Sequence, residues 1–231
     1  MSISAEQNAA AAAAFAEQVE RQFGGSGVTV SVENHNNAAK YAFIRMTCPP
    51  QHWIAVAKWM RFDGGVNYCS MVTGTHYPEG TDRGWGVAYH FLRQPVRDVN
   101  PFTADVLKAS ELEGISIPLE VEVLIDLPKG DAPVVPSVQS IWIGADWNEK
   151  ETWDLVGIRF EGHQNMHRVL NPHDSPEGFH PLQKQHQIRY HDFNEMYDDA
   201  QGFVRNLRMK DVSSEVRKWH KCGLQWALNI Q

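Results

Sequence analysis

The spacing of apolar residues divides the first 127 residues into short helices and strands. Spacing typical of a helix predicts helices over residues 4–23 and 51–62, and alternation predicts strands over residues 28–33, 41–46, 66–77, 85–92 and 119–127. The inward positions of the two helices are Phe15, Val19 and Phe23 in the first, and Trp53, Val56, Ala57 and Met60 in the second. The pattern predicts an α+β fold, with about four or five mostly antiparallel strands and helices on one face of the sheet.

Changes in composition along the chain predict three parts. We expect an N-terminal helical extension over residues 1–27 and an α+β domain over residues 28–160. Residues 94–116 lack a clear period and read as an insertion at the sheet edge, with a short helix at 103–112. Residues 161–231 are rich in His, Pro, Asp and Gln, which favours an extended C-terminal tail with a terminal helix, Ser213 to Leu228.

The stretch from Pro133 to Leu170 carries the densest signals in the chain. A helix is predicted over residues 146–157, with Asp146 as its N-cap. Glu149 follows three residues later, as in a capping box. Gly157 stands where a helix C-terminus favours a left-handed residue.

Charge and cysteine content exclude several classes of protein. The net charge of −7 and the lack of a basic stripe argue against a general nucleic-acid surface. Cys48, Cys69 and Cys222 form no C-x-x-C pair, which argues against an iron–sulfur cluster or structural zinc held by this chain. Because no apolar run reaches the roughly 20 residues of a membrane span and no secretory signal is present, we expect a soluble, cytoplasmic chain.

Histidines and acids near the centre are the candidate chemical groups. Six of the eleven histidines fall between His163 and His191, and His163 and His167 are four residues apart. No Glu follows the first of these, so the zinc-protease pattern is absent, and surface or interface imidazoles are the simpler interpretation. An acid–base pair could come from four acids, and Arg159 or Arg168 could instead pair with some of them in structural salt bridges. The four acids are Glu149, Glu151, Asp154 and Glu161.

The order of residues in this stretch resembles the 30-kilodalton subunit family of respiratory complex I. The matching residues are the Glu149-Lys150-Glu151 triplet, Asp154, Leu155-Val156, the run Gly157-Ile158-Arg159-Phe160-Glu161-Gly162-His163, the pair His167-Arg168 and, upstream, Pro133 to Val138. A downstream element reads Gly178 to His186, with one residue inserted relative to the family pattern. The same family fold occurs in membrane-bound energy-converting [NiFe] hydrogenases and formate hydrogenlyases.

The resemblance implies a role in an assembly, with no catalytic residue, metal or cofactor on this chain. The implied function is a non-catalytic scaffold in the peripheral arm of a complex I-like NADH/quinone oxidoreductase, an assembly of electron transport and proton translocation. It would dock the catalytic large subunit and the iron–sulfur small subunit at the cytoplasmic face of the membrane. The implied interface and signature residues are Glu149, Glu151, Asp154, Arg159, Glu161, Gly162, His163, Arg168, His180 and Pro181.

Two alternatives stay open at this point. The first is the equivalent scaffold subunit of a membrane-bound hydrogenase or formate hydrogenlyase, with nickel–iron on a partner subunit. The second is a free-standing enzyme that binds a metal through its histidine-rich tail.

Overall fold

The predicted helices and strands that fall on described residues of the computed structural model occur in the predicted order, and two short strands at residues 134–136 and 159–161 were not predicted. The structure describes residues 4–37, 40–78, 80–94, 117–130 and 133–185. The elements are helices α1 (Ala5–Phe23), α2 (Trp53–Phe62) and α3 (Ala145–Val156), and strands β1 (Thr29–Asn34), β2 (Ala42–Thr47), β3 (Tyr68–His76), β4 (Trp85–Arg93), β5 (Leu119–Leu127), β6 (Val134–Pro136) and β7 (Arg159–Glu161). The short helix predicted at 103–112 and the terminal helix predicted at 213–228 lie outside the described residues.

The main sheet of the described residues has five strands in the order β1-β2-β5-β4-β3. Neighbouring strands are antiparallel except β2 and β5, which are parallel. The parallel pair arises because α2 and the β3–β4 hairpin come between β2 and β5 in the chain. Strands β6 and β7 form a separate parallel pair. The α+β fold with a mostly antiparallel sheet is confirmed.

One face of the sheet packs against α1 and α2 to form the core. Strands β4 and β5 alternate between buried and more exposed positions, as their sequences predict. The Trp53 ring of α2 lies 4.6 Å from the Tyr89 ring of β4, centroid to centroid. Phe15 of α1 contacts Trp59 of α2 at 5.3 Å. The inward positions predicted for the two helices are buried, except that Phe23 is partly buried.

The opposite face of the sheet carries paired charges. The Arg45 guanidinium in β2 bridges Glu33 of β1 at 2.7 Å and Glu122 of β5 at 2.6 Å. Farther along β5, Asp126 pairs with Arg83. The polar residues that alternate with the core positions therefore bind one another across strands.

Helix α1 is attached to the ends of the strands through Asn8. Ser4 caps the helix in a capping box with Gln7. One turn later, the Asn8 side chain accepts a hydrogen bond from the Ala42 amide at 2.7 Å and donates one to the Pro118 carbonyl at 3.1 Å. Because Ala42 starts β2 and Pro118 precedes β5, α1 is a part of this fold rather than a separate arm.

Helix α3 covers the edge strand β3. The Thr152 hydroxyl donates to the Val72 carbonyl at 2.9 Å, and the Trp142 indole before the helix donates to the Val66 carbonyl at 2.9 Å. A covered edge cannot pair with another chain. Across the described residues, no helix combines the length and apolar character needed to cross a bilayer.

Candidate functional site

The start of α3 differs from the predicted capping box. The N-cap position is taken by Gly144 with no side-chain hydrogen bond, so the prediction of Asp146 as the N-cap is wrong. The preceding turn already supplies helical hydrogen bonds, from the Ala145 amide to Trp142 and from the Asp146 amide to Ile143. Asp146 lies in the first turn, where its carboxylate binds Lys150 at 2.7 Å.

Glu149 is buried inside the fold and caps nothing, so its predicted role in the capping box is also wrong. Its carboxyl group is fully buried and accepts hydrogen bonds from the Ser137 hydroxyl at 2.5 Å and the Val138 amide at 2.8 Å. Burial raises the pKa of Glu149 to about 7, although the bonds from Ser137 and Val138 oppose the shift.

His163 joins Glu149 in a buried group of ionisable side chains. The His163 side chain is fully buried, and its Nε2 lies 3.4 Å from Asp146 Oδ1 and 4.0 Å from Glu149 Oε2. A carboxyl group whose pKa is about 7 beside an imidazole has the chemistry of an acid–base pair. Both side chains are enclosed by protein, however, so this pair lacks the access that a substrate needs.

Asp154 receives five hydrogen bonds through its two carboxylate oxygens. Oδ2 accepts hydrogen bonds from the backbone amides of Val169, Leu170 and Asn171 at 3.1, 2.9 and 2.8 Å. Oδ1 accepts Arg168 Nη1 at 2.7 Å and Asn171 Nδ2 at 2.9 Å. We call Asp154, Arg168, Asn171 and His180 the Asp154 clamp, because together they hold the chain after β7 against α3.

The charge of Asp154 is stabilised although the side chain is fully buried. Burial by itself favours the neutral acid, but the hydrogen bonds from Asn171, Leu170 and Arg168 outweigh it and hold the pKa of Asp154 well below its usual range. Asp154 therefore stays ionised and paired with Arg168 at neutral pH. The predicted salt bridge to a nearby arginine is present at this position.

Arg168 connects three segments of the chain. Besides Asp154, it donates to the Phe179 carbonyl at 3.0 Å and to the Pro176 carbonyl at 3.1 Å. Its guanidinium carbon lies 5.7 Å from the centre of the Trp153 ring, within the range of a cation–π contact. A lysine could not make this planar set of contacts.

The C-terminal end of α3 is closed by residues 180–183. Gly157 ends the helix in the left-handed conformation, with φ of 92°, as predicted. The last three carbonyls of the helix each accept one hydrogen bond of 2.9 Å. His180 Nδ1 donates to the Asp154 carbonyl, the Leu182 amide to the Leu155 carbonyl, and Gln183 Nε2 to the Val156 carbonyl. These bonds satisfy groups that a helix end leaves without partners inside the helix.

The other predicted site residues lie outside the clamp. Glu151 accepts a hydrogen bond from the Trp147 indole at 2.6 Å. Exposed positions on β7 and just after it are occupied by Arg159, Glu161 and Gly162, and Pro181 is half-buried next to His180. No ion pair within the described residues involves Arg159.

Three residues whose side chains form hydrogen bonds with α3 were not identified from the sequence. Ser137 binds Glu149, Asn171 binds Asp154, and Gln183 binds the end of α3. Asn171 precedes a proline, and this turn signal is the one that could have marked it. Nothing in the local pattern around Ser137 or Gln183 points to α3.

The described histidines and cysteines do not converge on a metal. His163 is buried beside Asp146, whereas the exposed His167 binds the Asn165 carbonyl at 3.1 Å. In the part of the chain that the structure describes, no group of three His, Cys, Asp or Glu side chains could hold an ion. Burial raises the pKa of the Cys48 and Cys69 thiols to about 12.

Comparison with known proteins identifies the family. Residues 46–192 match a family model described as respiratory-chain NADH dehydrogenase, 30 Kd subunit. The chain belongs to this family. Two curated relatives are both named as a subunit of NADH-quinone oxidoreductase. The relative from Rhizobium rhizogenes is 32% identical over 147 residues, covering 63% of this chain and 60% of the relative. The relative from Chloroherpeton thalassium is 35% identical over 143 residues, covering 60% of this chain and 49% of the relative.

This member of the 30 Kd subunit family thus spans about half to three-fifths of the length of those relatives. Two solved structures are also similar to it. A trypsin-resistant fragment of Nqo5 is 21% identical with a TM-score of 0.46, covering 65% of this chain and 98% of that chain. A chain of the membrane-bound sulfane sulfur reductase, an archaeal respiratory membrane complex, is 14% identical with a TM-score of 0.49, covering 83% and 94%. The family assignment rests on the family model and the curated relatives.

Proposed function

We propose that the chain is a non-catalytic scaffold subunit in the peripheral arm of a complex I-like NADH:quinone oxidoreductase. In this role it docks the catalytic large subunit and the iron–sulfur small subunit, and it lies peripherally at the cytoplasmic face of the membrane. The redox cofactors are carried by those partner subunits. The curated relatives are named as subunits of NADH-quinone oxidoreductases, which supports the assembly.

The Asp154 clamp is the observation that carries this proposal. The charged groups of Asp154 and Arg168 bind each other and also form hydrogen bonds with backbone groups of the same chain. Glu149 is equally enclosed by Ser137 and Val138. Carboxyl groups that are buried and hydrogen-bonded in this way stabilise the fold and are not accessible to a substrate. The family-like stretch therefore supports a structural role more than a chemical step.

Exposed apolar side chains next to this stretch support docking. Ile143, just before α3, is 91% exposed, and Trp147 in its first turn is 53% exposed. Leu170 and Leu182, which flank the clamp, are each more than half exposed. Large apolar residues that cluster at a surface commonly mark a protein interface. We assign the exposed side chains of Ile143 and Trp147, at the start of α3, and of Leu170 and Leu182, near its C-terminal end, to contacts with the partner subunits.

Co-expression with the large and small subunits tests the proposal. The tagged chain should retain both partners through affinity purification and gel filtration, in equal amounts. Ile143→Asp should release at least one partner, because it places a charge in an apolar interface. Ala55→Asp, at an exposed position of α2, is the matched control and should retain both.

Two results would overturn the proposal. A chain that purifies alone, with stoichiometric metal and turnover of its own, would favour the free-standing enzyme. A retained large subunit with a nickel-ligating C-x-x-C pair at each end would instead place the chain in a hydrogenase.

A further inference from the structure

A cavity of about 450 Å³ lies at the end of the sheet where β4 ends and β2 and β5 begin. Ala42 of β2, Arg93 of β4 and Leu119 of β5 contribute to its walls. Its size falls within the range of small-molecule sites in proteins. It is separate from the Asp154 clamp and plays no part in the proposed docking function.

Arg93 is the unusual residue in the wall of this cavity. It is only 7% exposed, and its Nε donates to the Ile117 carbonyl at 3.1 Å. Among the described residues, no carboxylate forms an ion pair with it, whereas the arginines at 45, 83 and 168 each have an acidic partner. Burial lowers the pKa of the Arg93 guanidinium from its ordinary value. The guanidinium carbon also lies 6.0 Å from the centre of the Phe15 ring, but neither this ring nor the Ile117 carbonyl supplies an anion, and a buried cation without an anion is costly.

Three other polar side chains in the described wall, those of Asn8, His35 and Glu120, are engaged with protein partners. Both polar atoms of the Asn8 side chain bind backbone groups. Glu120 pairs with His35 at 2.9 Å. Of the charged side chains in the described wall, Arg93 is thus the one that lacks a counterion. Its remaining N–H groups are suited to bind two oxygens of one anion side by side.

The rest of the wall selects the kind of anion. Ala42, Leu92, Pro118 and Leu119 supply apolar surface to the described part of the cavity wall. A ligand that fills this space carries its charge at one end and an apolar body at the other. Inorganic ions lack the apolar body and would leave this surface unfilled.

We propose that Arg93 binds the carboxylate or phosphate group of a small organic anion whose apolar body occupies this cavity. Carboxylates and phosphates both present paired oxygens to a guanidinium fork. Probes of similar shape that carry either a carboxylate or a phosphate show which of the two groups the cavity binds.

Calorimetric titration of the full chain with benzoate, phenyl phosphate, inorganic phosphate and neutral benzamide is the direct test. We expect saturable binding of benzoate or phenyl phosphate, at least tenfold weaker binding of inorganic phosphate, and none of benzamide. Tighter binding of phenyl phosphate than of benzoate assigns a phosphate ligand, and the reverse order assigns a carboxylate.

Variants separate the cavity from general charge effects. Arg93→Met keeps the apolar stem and should weaken binding of the better probe at least tenfold, whereas Arg83→Met, at an exposed arginine, should leave it unchanged. Should Arg93→Met fail to fold, NMR of the wild-type chain replaces it, and the probe should shift the Nε–H resonance of Arg93 but not that of Arg83. No saturable binding by any probe, equal binding by Arg93→Met, or an unmoved Arg93 resonance would each overturn the proposal.

Discussion

Two fully buried carboxyl groups of α3, those of Glu149 and Asp154, have opposite protonation behaviour. The pKa of Asp154 is lowered, since five N–H groups, two of them on Arg168 and Asn171 side chains, point at its oxygens. The pKa of Glu149 is raised to about 7, because burial outweighs the two donors that reach it. The balance between burial, which favours the neutral acid, and the number of hydrogen-bond donors decides the charge state of each acid.

Replacing Asp154 by asparagine tests the clamp at the level of a single charge. The new side chain would keep the shape but leave the Arg168 guanidinium buried without its anion. Breaking a buried ion pair from one side typically costs about 3–5 kcal/mol, so we expect a loss of unfolding free energy of about 3 kcal/mol. Urea denaturation at pH 7 measures the loss. The exposed Asp174, in the same segment, provides the control Asp174→Asn, which should change stability little. Equal stability of both variants would contradict the assigned role of Asp154.

The raised pKa of Glu149 predicts that the unfolding free energy depends on pH. Its pKa in the folded chain, about 7, is higher than the ordinary value of 4.5, so the folded state binds more protons between these values. The stabilisation is complete below pH 4.5 and is lost as the pH rises through about 7. The loss should be about 3 kcal/mol at most.

Glu149→Gln isolates this dependence, because glutamine resembles the protonated acid at every pH. We expect the unfolding free energy of the wild type to fall relative to this variant between pH 5 and pH 7.5, a range that covers most of the window from 4.5 to about 7. Denaturant titrations at the two values measure the difference. The exposed Glu161 supplies the control Glu161→Gln, which should keep the wild-type profile. Parallel profiles for wild type and Glu149→Gln would show that Glu149 does not titrate in this range.

At the scale of elements, periodic burial makes most of the fold predictable. The predicted bounds of helices α1 and α2 and strands β4 and β5 agree with the structure within two residues, since each element buries one face and shows it in the spacing of apolar residues. The start of α3 is not predictable in this way, because its capping acids bind elsewhere: Asp146 binds Lys150, and Glu149 binds Ser137, twelve residues upstream. Contacts between distant residues leave no local pattern, so Ser137 and Gln183 were missed as partners of α3.

Gly157 links α3 to the segment that closes its end, and Gly157→Ala tests that link. Its φ of 92° is strained for any side chain, and a Cβ there would lie 2.6 Å from Gln183 Nε2 and 2.8 Å from His180 Cδ2. Gly162 has a similar φ of 83° but open space around its Cβ position. Gly162→Ala should therefore show the backbone strain alone, about 1 kcal/mol.

The difference between these two variants reports the contact between helix and segment. We expect Gly157→Ala to lose at least about 1 kcal/mol more than Gly162→Ala, because residues 180–183 must move. Hydrogen exchange of the Leu182 amide, which binds the Leu155 carbonyl at 2.9 Å, should accelerate in Gly157→Ala only. Equal losses and an unchanged Leu182 amide would show that the segment does not depend on Gly157.

At the scale of the whole molecule, the described part of the tail belongs to the folded unit. Residues 168–183 bind α3 through the Asp154 clamp and the bonds at the helix end, so the domain extends well beyond β7. The sequence predicts an extended tail from residue 161, because turn residues and isolated aromatics give no period. What binds this segment is the set of unpaired groups at the end of α3, which is visible only in three dimensions.

The clamp also decides where a truncation can separate folding from docking. A chain that ends at Gln185 keeps His180, Leu182 and Gln183 on α3, whereas one that ends at Leu170 removes all three. We expect the first to unfold at the wild-type denaturant midpoint yet lose the large subunit in co-purification, because we propose that residues 186–231 add contacts to that partner beside those of Ile143 and Trp147. The second should also lose stability, since the last carbonyls of α3 then lack their partners and Arg168 loses its bonds to Pro176 and Phe179. Retention of the large subunit by the chain that ends at Gln185 would show that residues 186–231 add nothing to docking, which would then rest on the surface around Ile143 and Trp147.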